Sequence, residues 1–183
     1  MSYLVDYEIL DLVKHNELKI EPFDDLNIAS TFVELRLGNK FTTLIENVRA
    51  HINPLELNID EEFVNKHKYS TIDVNENDVY TLAPGEFVLA ITKEKITMPK
   101  NYIGELHGRN RLGRLGVLLF CSGGFINPGF SGKLVLELYN VNQMPVQLKV
   151  NMKIAKMTIQ KLNAMPHTLK IPPKLFEVDN TNK

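Results

Sequence analysis

Two stretches of the chain gather side chains able to do chemistry. The first is His107-Gly108-Arg109-Asn110-Arg111-Leu112-Gly113-Arg114-Leu115-Gly116, which sets three arginines within six residues and interleaves them with glycine. A guanidinium presents a planar fork of donors suited to phosphate oxygens, and glycine lets backbone N–H groups come close to an anion. The same residues also read as a solvated turn between strands, because Gly-rich basic turns are common. The second stretch runs from Gly123 to Gly132 and continues as Lys133-Leu134-Val135-Leu136-Glu137-Leu138-Tyr139-Asn140. Side chains alternate along an extended strand, so Leu134, Leu136 and Leu138 share one face while Glu137 shares the other with Val135 and Tyr139. A carboxylate amid apolar neighbours is costly unless it is paired or its face lines a cleft. Beside a cleft it suits proton transfer. On a sheet with one wet side it is simply an outward-facing glutamate.

Few other residues suggest chemistry. His15, His51, His67 and His167 are scattered without metal-ligand spacing, while His107 adjoins the basic segment. Cys121 is the single cysteine, which excludes an intramolecular disulfide framework and a Cys-rich zinc site. Following the apolar run Val117–Phe120, it reads as a small core residue.

The elements that position these residues are mainly short strands. A helix is expected near the start, with Asp6 as its cap and Ile9, Leu10 and Val13 at helical spacing. Thr31–Leu37 and Phe41–Glu46 read as strands flanking a turn at Gly38-Asn39. Residues 47–80 read as loops with short strands. Beyond Pro84-Gly85, strands are expected at Glu86–Thr92, Ile103–His107, Val117–Phe120, Lys133–Tyr139, Val146–Val150 and Lys153–Ile159. Gly38, Gly129 and Gly132 read as turn residues. Many short strands separated by turn residues predict a mostly β sandwich or barrel of jelly-roll type, with no doubly wound α/β core. Residues 1–165 form the expected domain. Residues 166–183, with Pro166, Pro172 and Pro173, form a surface tail.

Composition bounds the function. Over 183 residues, 21 Lys and Arg face 22 Asp and Glu, a net charge of −1, so no overall field draws in nucleic acid or an anionic membrane. The basic residues at 109–114 form one short loop without interleaved aromatics, which makes a nucleic-acid-binding module the weakest reading. Hydrophobic residues make up 44%, enough for a globular core, and no apolar run is long enough to cross a bilayer. With no basic-then-apolar opening segment, the chain is expected to be cytoplasmic.

In order along the chain, these segments resemble the dCTP deaminases, a branch of the trimeric dUTPase-like superfamily. Leu18 to Phe23 and Val33 to Gly38 resemble the family's "KIEPF" and "DLRLG" elements, and Gly108 to Gly116 resembles "GRSSLARLG". Ile126 to Gly132 resembles "IDPGFxG", Val135 to Asn140 resembles "LELYN", and Pro145 to Ile159 resembles the closing strand pair. The resemblance implies a distorted β-barrel with a short N-terminal helix, assembled as a homotrimer with sites between subunits. It implies zinc-free hydrolysis of dCTP to dUTP and ammonia, with Mg2+ carried on the nucleotide triphosphate. Glu137 falls on the family's catalytic glutamate, Arg114 on the arginine that holds the water and the carboxylate, and Gly123 on a carbonyl that positions the water. Asn110 joins that catalytic group by position, and Arg109, Asn110 and Arg111 lie in the triphosphate segment. Leu112, Gly113, Arg114, Asn127, Val135 and Leu136 complete the implied substrate contacts. Zinc base deaminases instead use a His-x-Glu and Pro-Cys-x-x-Cys signature, which this sequence lacks.

Several positions depart from the family pattern. Asn110 replaces the first serine of the arginine segment and Arg111 the second. Asn127 replaces the aspartate of "IDPGF", Glu34 replaces Asp, and Lys156 stands where many members have Gln. The tail lacks the family's Tyr and Gln but keeps Lys170, Lys174 and Lys183. Two alternatives follow from the departures. One is a dUTP pyrophosphatase or a bifunctional deaminase–pyrophosphatase, against which the amide at Asn127 speaks. The other is a nucleotide-binding relative without turnover.

Overall fold

The computed structural model describes residues 2–44, 69–120 and 124–169. Helix α1, Asp6–Lys14, buries Ile9 and Leu12. The expected cap shifts by one residue. Val5 is the extended residue before the first turn, and its N–H donates to the Glu8 carboxylate at 3.0 Å. Asp6 lies inside that turn, where a negative charge complements the helix dipole.

Among the described residues twelve strands follow: β1 Lys19–Glu21, β2 Ile28–Ala29, β3 Phe32–Leu44, β4 Tyr69–Asp73, β5 Val79–Leu82, β6 Phe87–Thr97, β7 Tyr102–Gly108, β8 Val117–Phe120, β9 Phe125–Ile126, β10 Ser131–Asn140, β11 Val146–Lys149 and β12 Lys153–Lys161. A five-residue helix, α2 Asn110–Arg114, sits between β7 and β8. All the strand pairings are antiparallel, and the main sheet runs β8-β10-β6-β3-β12-β7-β9. It curls into a half-barrel of the mostly β kind the sequence predicts. The pair β5–β11 stands apart as a second small sheet.

The expected turn at Gly38-Asn39 is not a turn. β3 runs straight through it, pairing with β12 over Val33 to Arg36 and then with β6 from Leu37. Gly38 lies at that crossing, where a Cβ would meet the Ile91 carbonyl at 2.8 Å and the Thr92 carbonyl at 3.0 Å. Glycine is required there by close backbone approach rather than by chain reversal. Gly132 likewise lies within β10, opposite Ile96, whereas Gly129 does form a turn at φ +76°. Beside the β3 crossing, the Glu94 carboxylate is buried and takes Arg36 Nε at 2.6 Å and the Arg36 backbone N–H at 2.8 Å. Leu35, Leu37, Phe41, Leu136, Leu138, Ile154, Met157 and Ile159 fill the interior of the curl.

Candidate active site

The basic segment leaves β7 at Gly108, whose Cβ position lies only 3.3 Å from the Leu119 Cβ. Arg109 is extended, and α2 then turns once, burying Leu112 and leaving Asn110, Arg111, Gly113 and Arg114 exposed. A turn this short has little stability of its own. Its end is held from the β10–β11 connection. Asn142 Nδ2 donates to the Leu115 carbonyl at 3.0 Å, and the Val141 N–H donates to the Gly116 carbonyl at 2.9 Å. Gly116 has φ +77°, and a Cβ there would meet Asn142 at 3.0 Å. The close fit and the left-handed backbone both call for glycine.

Two cavities open beside α2. One of about 230 Å³ lies between the turn and the sheet, lined by Arg109, Asn110, Leu112, Gly113, Leu119 and Leu138 among others. The other, of about 490 Å³, has Arg109, Arg111, Gln147, Met152 and Lys153 in its wall. Glu34 supports that wall, with its Oε1 accepting from Arg109 Nη1 at 2.5 Å and its Oε2 in an ion pair with Lys153 Nζ. Glu34 is mostly buried in β3, so these cations keep its charge from being stranded. Arg111 and Arg114 have no such partner among the described residues.

Glu137 occupies the other side of the sheet. In β10, Leu136 and Leu138 are fully buried, while Val135, Glu137 and Tyr139 are half-buried on the opposite face. Glu137 pairs across to Leu89 in β6 and to Phe120 in β8. Its carboxylate has no hydrogen-bond or ion-pair partner among the described residues. Leu119 pairs with Leu138, so the 230 Å³ cavity lies on the buried face that Glu137 points away from.

A family model described as dCTP deaminase-like matches residues 3–162. The chain belongs to the dCTP deaminase-like family. A relative from Corynebacterium efficiens, named "dCTP deaminase, dUMP-forming", is 38% identical over 165 residues, spanning 90% of this chain and 82% of that one. A relative of the same name from Nanoarchaeum equitans is 34% identical over 175 residues, spanning 91% and 88%. A solved structure, the 2'-deoxycytidine 5'-triphosphate deaminase from Agrobacterium tumefaciens, shares the fold with a TM-score of 0.66 and 17% identity. The match covers 87% of this chain and 48% of that one, so this chain spans about half that protein's length.

Within this family member, the residues the resemblance singled out fall into two groups. Arg109, Asn110, Leu112 and Gly113 line the 230 Å³ cavity, and Arg109, Arg111 and Leu112 line the larger one. Val135 and Glu137 share the outer face, whereas Leu136 points into the core. Arg114 is exposed and lines neither cavity. Asn127 is half-buried after β9, and its carbonyl accepts the Phe130 N–H at 3.0 Å in the turn containing Gly129. Gly123 and Cys121 lie outside the described residues, as does the tail beyond residue 169. His107 is turned from the arginines toward Glu105, at 3.7 Å, and the Thr158 hydroxyl, at 3.2 Å. Lys156 sits 4.5 Å from the centre of the Phe32 ring, a cation–π contact away from the cavities.

Proposed function

We propose that this chain deaminates dCTP by hydrolysis and releases dUMP as its end product, in two steps that together turn dCTP and two waters into dUMP, ammonia and pyrophosphate. What carries the reading is an arginine-walled cavity in a chain whose relatives, at 34–38% identity over nine-tenths of its length, are named dCTP deaminase, dUMP-forming. Those names replace the expectation of dUTP as the product with dUMP, and in the proposed sequence dUTP is the intermediate.

In the first step the Glu137 carboxylate takes a proton from water as its oxygen bonds to C4 of cytosine. The tetrahedral carbon then carries both the new hydroxyl and the amino group. The same carboxyl passes that proton to N3 of the ring, then takes the hydroxyl proton and delivers it to the amino nitrogen; the C4–N bond breaks, and ammonia leaves as the C4 carbonyl forms. Arg114 orients the carboxylate and the water, while Arg109 and Arg111 hold phosphate oxygens. In the second step a water attacks phosphorus and pyrophosphate departs. Asn127 can hold a water or a sugar hydroxyl but cannot deprotonate it, which makes this the slower step.

The cavity wall fits a magnesium ion only as cargo on the nucleotide. Its charged lining residues are cations, and no three His, Cys, Asp or Glu side chains cluster among the described residues. Such an ion would be held by phosphate oxygens and water, neutralising charge on the triphosphate. The deamination step is assigned to Glu137 rather than to zinc, because one cysteine cannot supply the His-x-Glu, Pro-Cys-x-x-Cys ligand set.

Glu137 points away from the face of β10 whose Leu138 lines the 230 Å³ cavity, which favours a site completed between copies of the chain. The proposed assembly is a homotrimer in which the outer face of one copy receives the α2 segment of the next. No helix among the described residues is long and apolar enough to cross a membrane, and a cytoplasmic location accords with a nucleotide substrate.

The test is a time course with purified protein, dCTP and magnesium, resolved by chromatography. dUTP should rise first and dUMP should accumulate, with Glu137→Gln abolishing both. Accumulation of dUTP alone would refute the dUMP-forming reading. Nucleotide binding without any product would leave only a non-catalytic relative.

A further inference from the structure

Lys153 opens β12 at a position that neither the sequence pattern nor the family resemblance marked. Its ammonium pairs with Oε2 of Glu34, whose Oε1 holds Arg109 at 2.5 Å. One carboxylate therefore fixes two cations side by side on the wall of the 490 Å³ cavity, which Arg111 also lines. Side-chain exposure rises from 14% for Glu34 to 26% for Arg109 and 42% for Lys153. The carboxylate thus sits behind the wall and the cations sit toward the cavity. Three cations against one carboxylate leave two positive charges uncompensated.

The strands set the spacing of these groups. Lys153 is opposite Arg36 in β3, and two residues further along β12 Ala155 is opposite Gly108, which precedes Arg109. Like charges held this close repel, and Glu34 offsets that repulsion only in part. Such an arrangement is complementary to a polyanion rather than to a single phosphate. The arginine fork can grip one phosphate in two places while the lysine serves as a point charge for its neighbour.

We propose that Lys153 is a third binding cation for the polyphosphate end of the nucleotide and that Glu34 is the positioning residue that holds it beside Arg109. The proposal rests on the reading of Arg109 and Arg111 as the triphosphate end of the site. It adds a cation brought by the start of β12, and it makes Lys153 a determinant of triphosphate over monophosphate recognition.

The test uses inorganic tripolyphosphate as the probe, titrated calorimetrically into the full-length protein. Lys153→Met should weaken binding about tenfold, the equivalent of one charge-assisted hydrogen bond, and Lys153→Arg should recover most of it. With dCTP the same variant should raise KM by a similar factor and leave kcat nearly unchanged, while the KM for dCMP as a poor substrate or competitor moves little. Lys153→Met also strands the Glu34 charge, so loss of folding must be separated from loss of binding. The double variant Glu34→Gln, Lys153→Met removes both charges; it should regain thermal stability yet stay weak for tripolyphosphate. Wild-type affinity in the double variant, or in Lys153→Met itself, would make Lys153 a counter-ion only and overturn the proposal. So would a wild-type protein that does not bind tripolyphosphate. A wild-type protein that binds tripolyphosphate through Lys153 but never deaminates dCTP would remove the proposed function and leave this subsite standing.

Discussion

Mixing two inactive variants tests whether the site is shared between copies. Glu137→Gln removes the proton-transferring carboxyl on the outer face of β10, and Arg114→Ala removes an exposed arginine of α2 that has no partner within the described residues. Each variant alone should lose about 10²–10⁴-fold in deamination, the usual contribution of a positioned acid–base group or its activation. In a closed ring each site takes Glu137 from one copy and Arg114 from the next. Co-expressed in equal amounts, half the copies retain the glutamate and the other half the arginine. A site then works when an arginine variant precedes a glutamate variant, which occurs once around every mixed ring of three, so about one third of the wild-type activity should return in the mixed assemblies. Differently tagged copies purified through both tags show that mixed assemblies have formed, and dCTP turnover is measured on that fraction. Activity that stays at the level of the single variants in confirmed mixed assemblies would place both residues in one chain's site. It would refute the argument from the opposite faces of β10.

Three further predictions follow from single contacts. Asn127→Asp supplies a carboxylate where the amide cannot accept a proton, and should speed conversion of dUTP to dUMP by about 10²-fold, read as a smaller dUTP transient in the time course. Arg36→Leu leaves the buried Glu94 carboxylate without its guanidinium and should cost about 3–5 kcal/mol in denaturant unfolding, whereas the exposed Arg111→Ala should change stability by less than about 0.5 kcal/mol. Tyr80 stacks on Phe41 and donates to Glu86 at 2.5 Å, and burial together with that bond and the Glu86 charge holds its hydroxyl well above the ordinary tyrosine range. Above about pH 10 the unfolded chain ionises this tyrosine while the folded chain does not, so stability should fall with rising pH, and Tyr80→Phe should remove that part of the slope.

What could be read in the sequence was what alternation along a single strand determines. β8 and β10 were legible because Val, Leu and Tyr alternate or cluster between turn residues, and the face occupied by Glu137 followed from the two-residue period. What was illegible depends on partners distant in sequence. Gly38-Asn39 carries the local signature of a hairpin, yet the Ile91 and Thr92 carbonyls that exclude a Cβ come from β6. The basic segment read as a loop because its turn of helix is held by Asn142, on the far side of β10. Glu34 could be flagged as a charge within a buried strand, and such a residue implies a cation. Its partners arrive from the end of β7 and the start of β12, and no spacing within β3 names them.

The two halves of the proposed site also account for each other energetically. Val135 and Tyr139 are only half-buried on the outer face of β10, and Phe87, opposite Tyr139, is 48% exposed. An apolar sheet face of this kind is unfavourable in water, and the carboxylate at its centre forbids covering it with a purely apolar surface. A covering element must therefore bring both apolar contact and a positive charge. The segment around α2 has that composition, with Leu115 48% exposed beside Arg111 and Arg114, neither of which has a partner among the described residues. Docking that segment onto β10 of a second copy would bury the exposed leucine and give Glu137 its guanidinium. One contact would then supply the stability of the assembly and the polar neighbour that proton transfer at C4 requires.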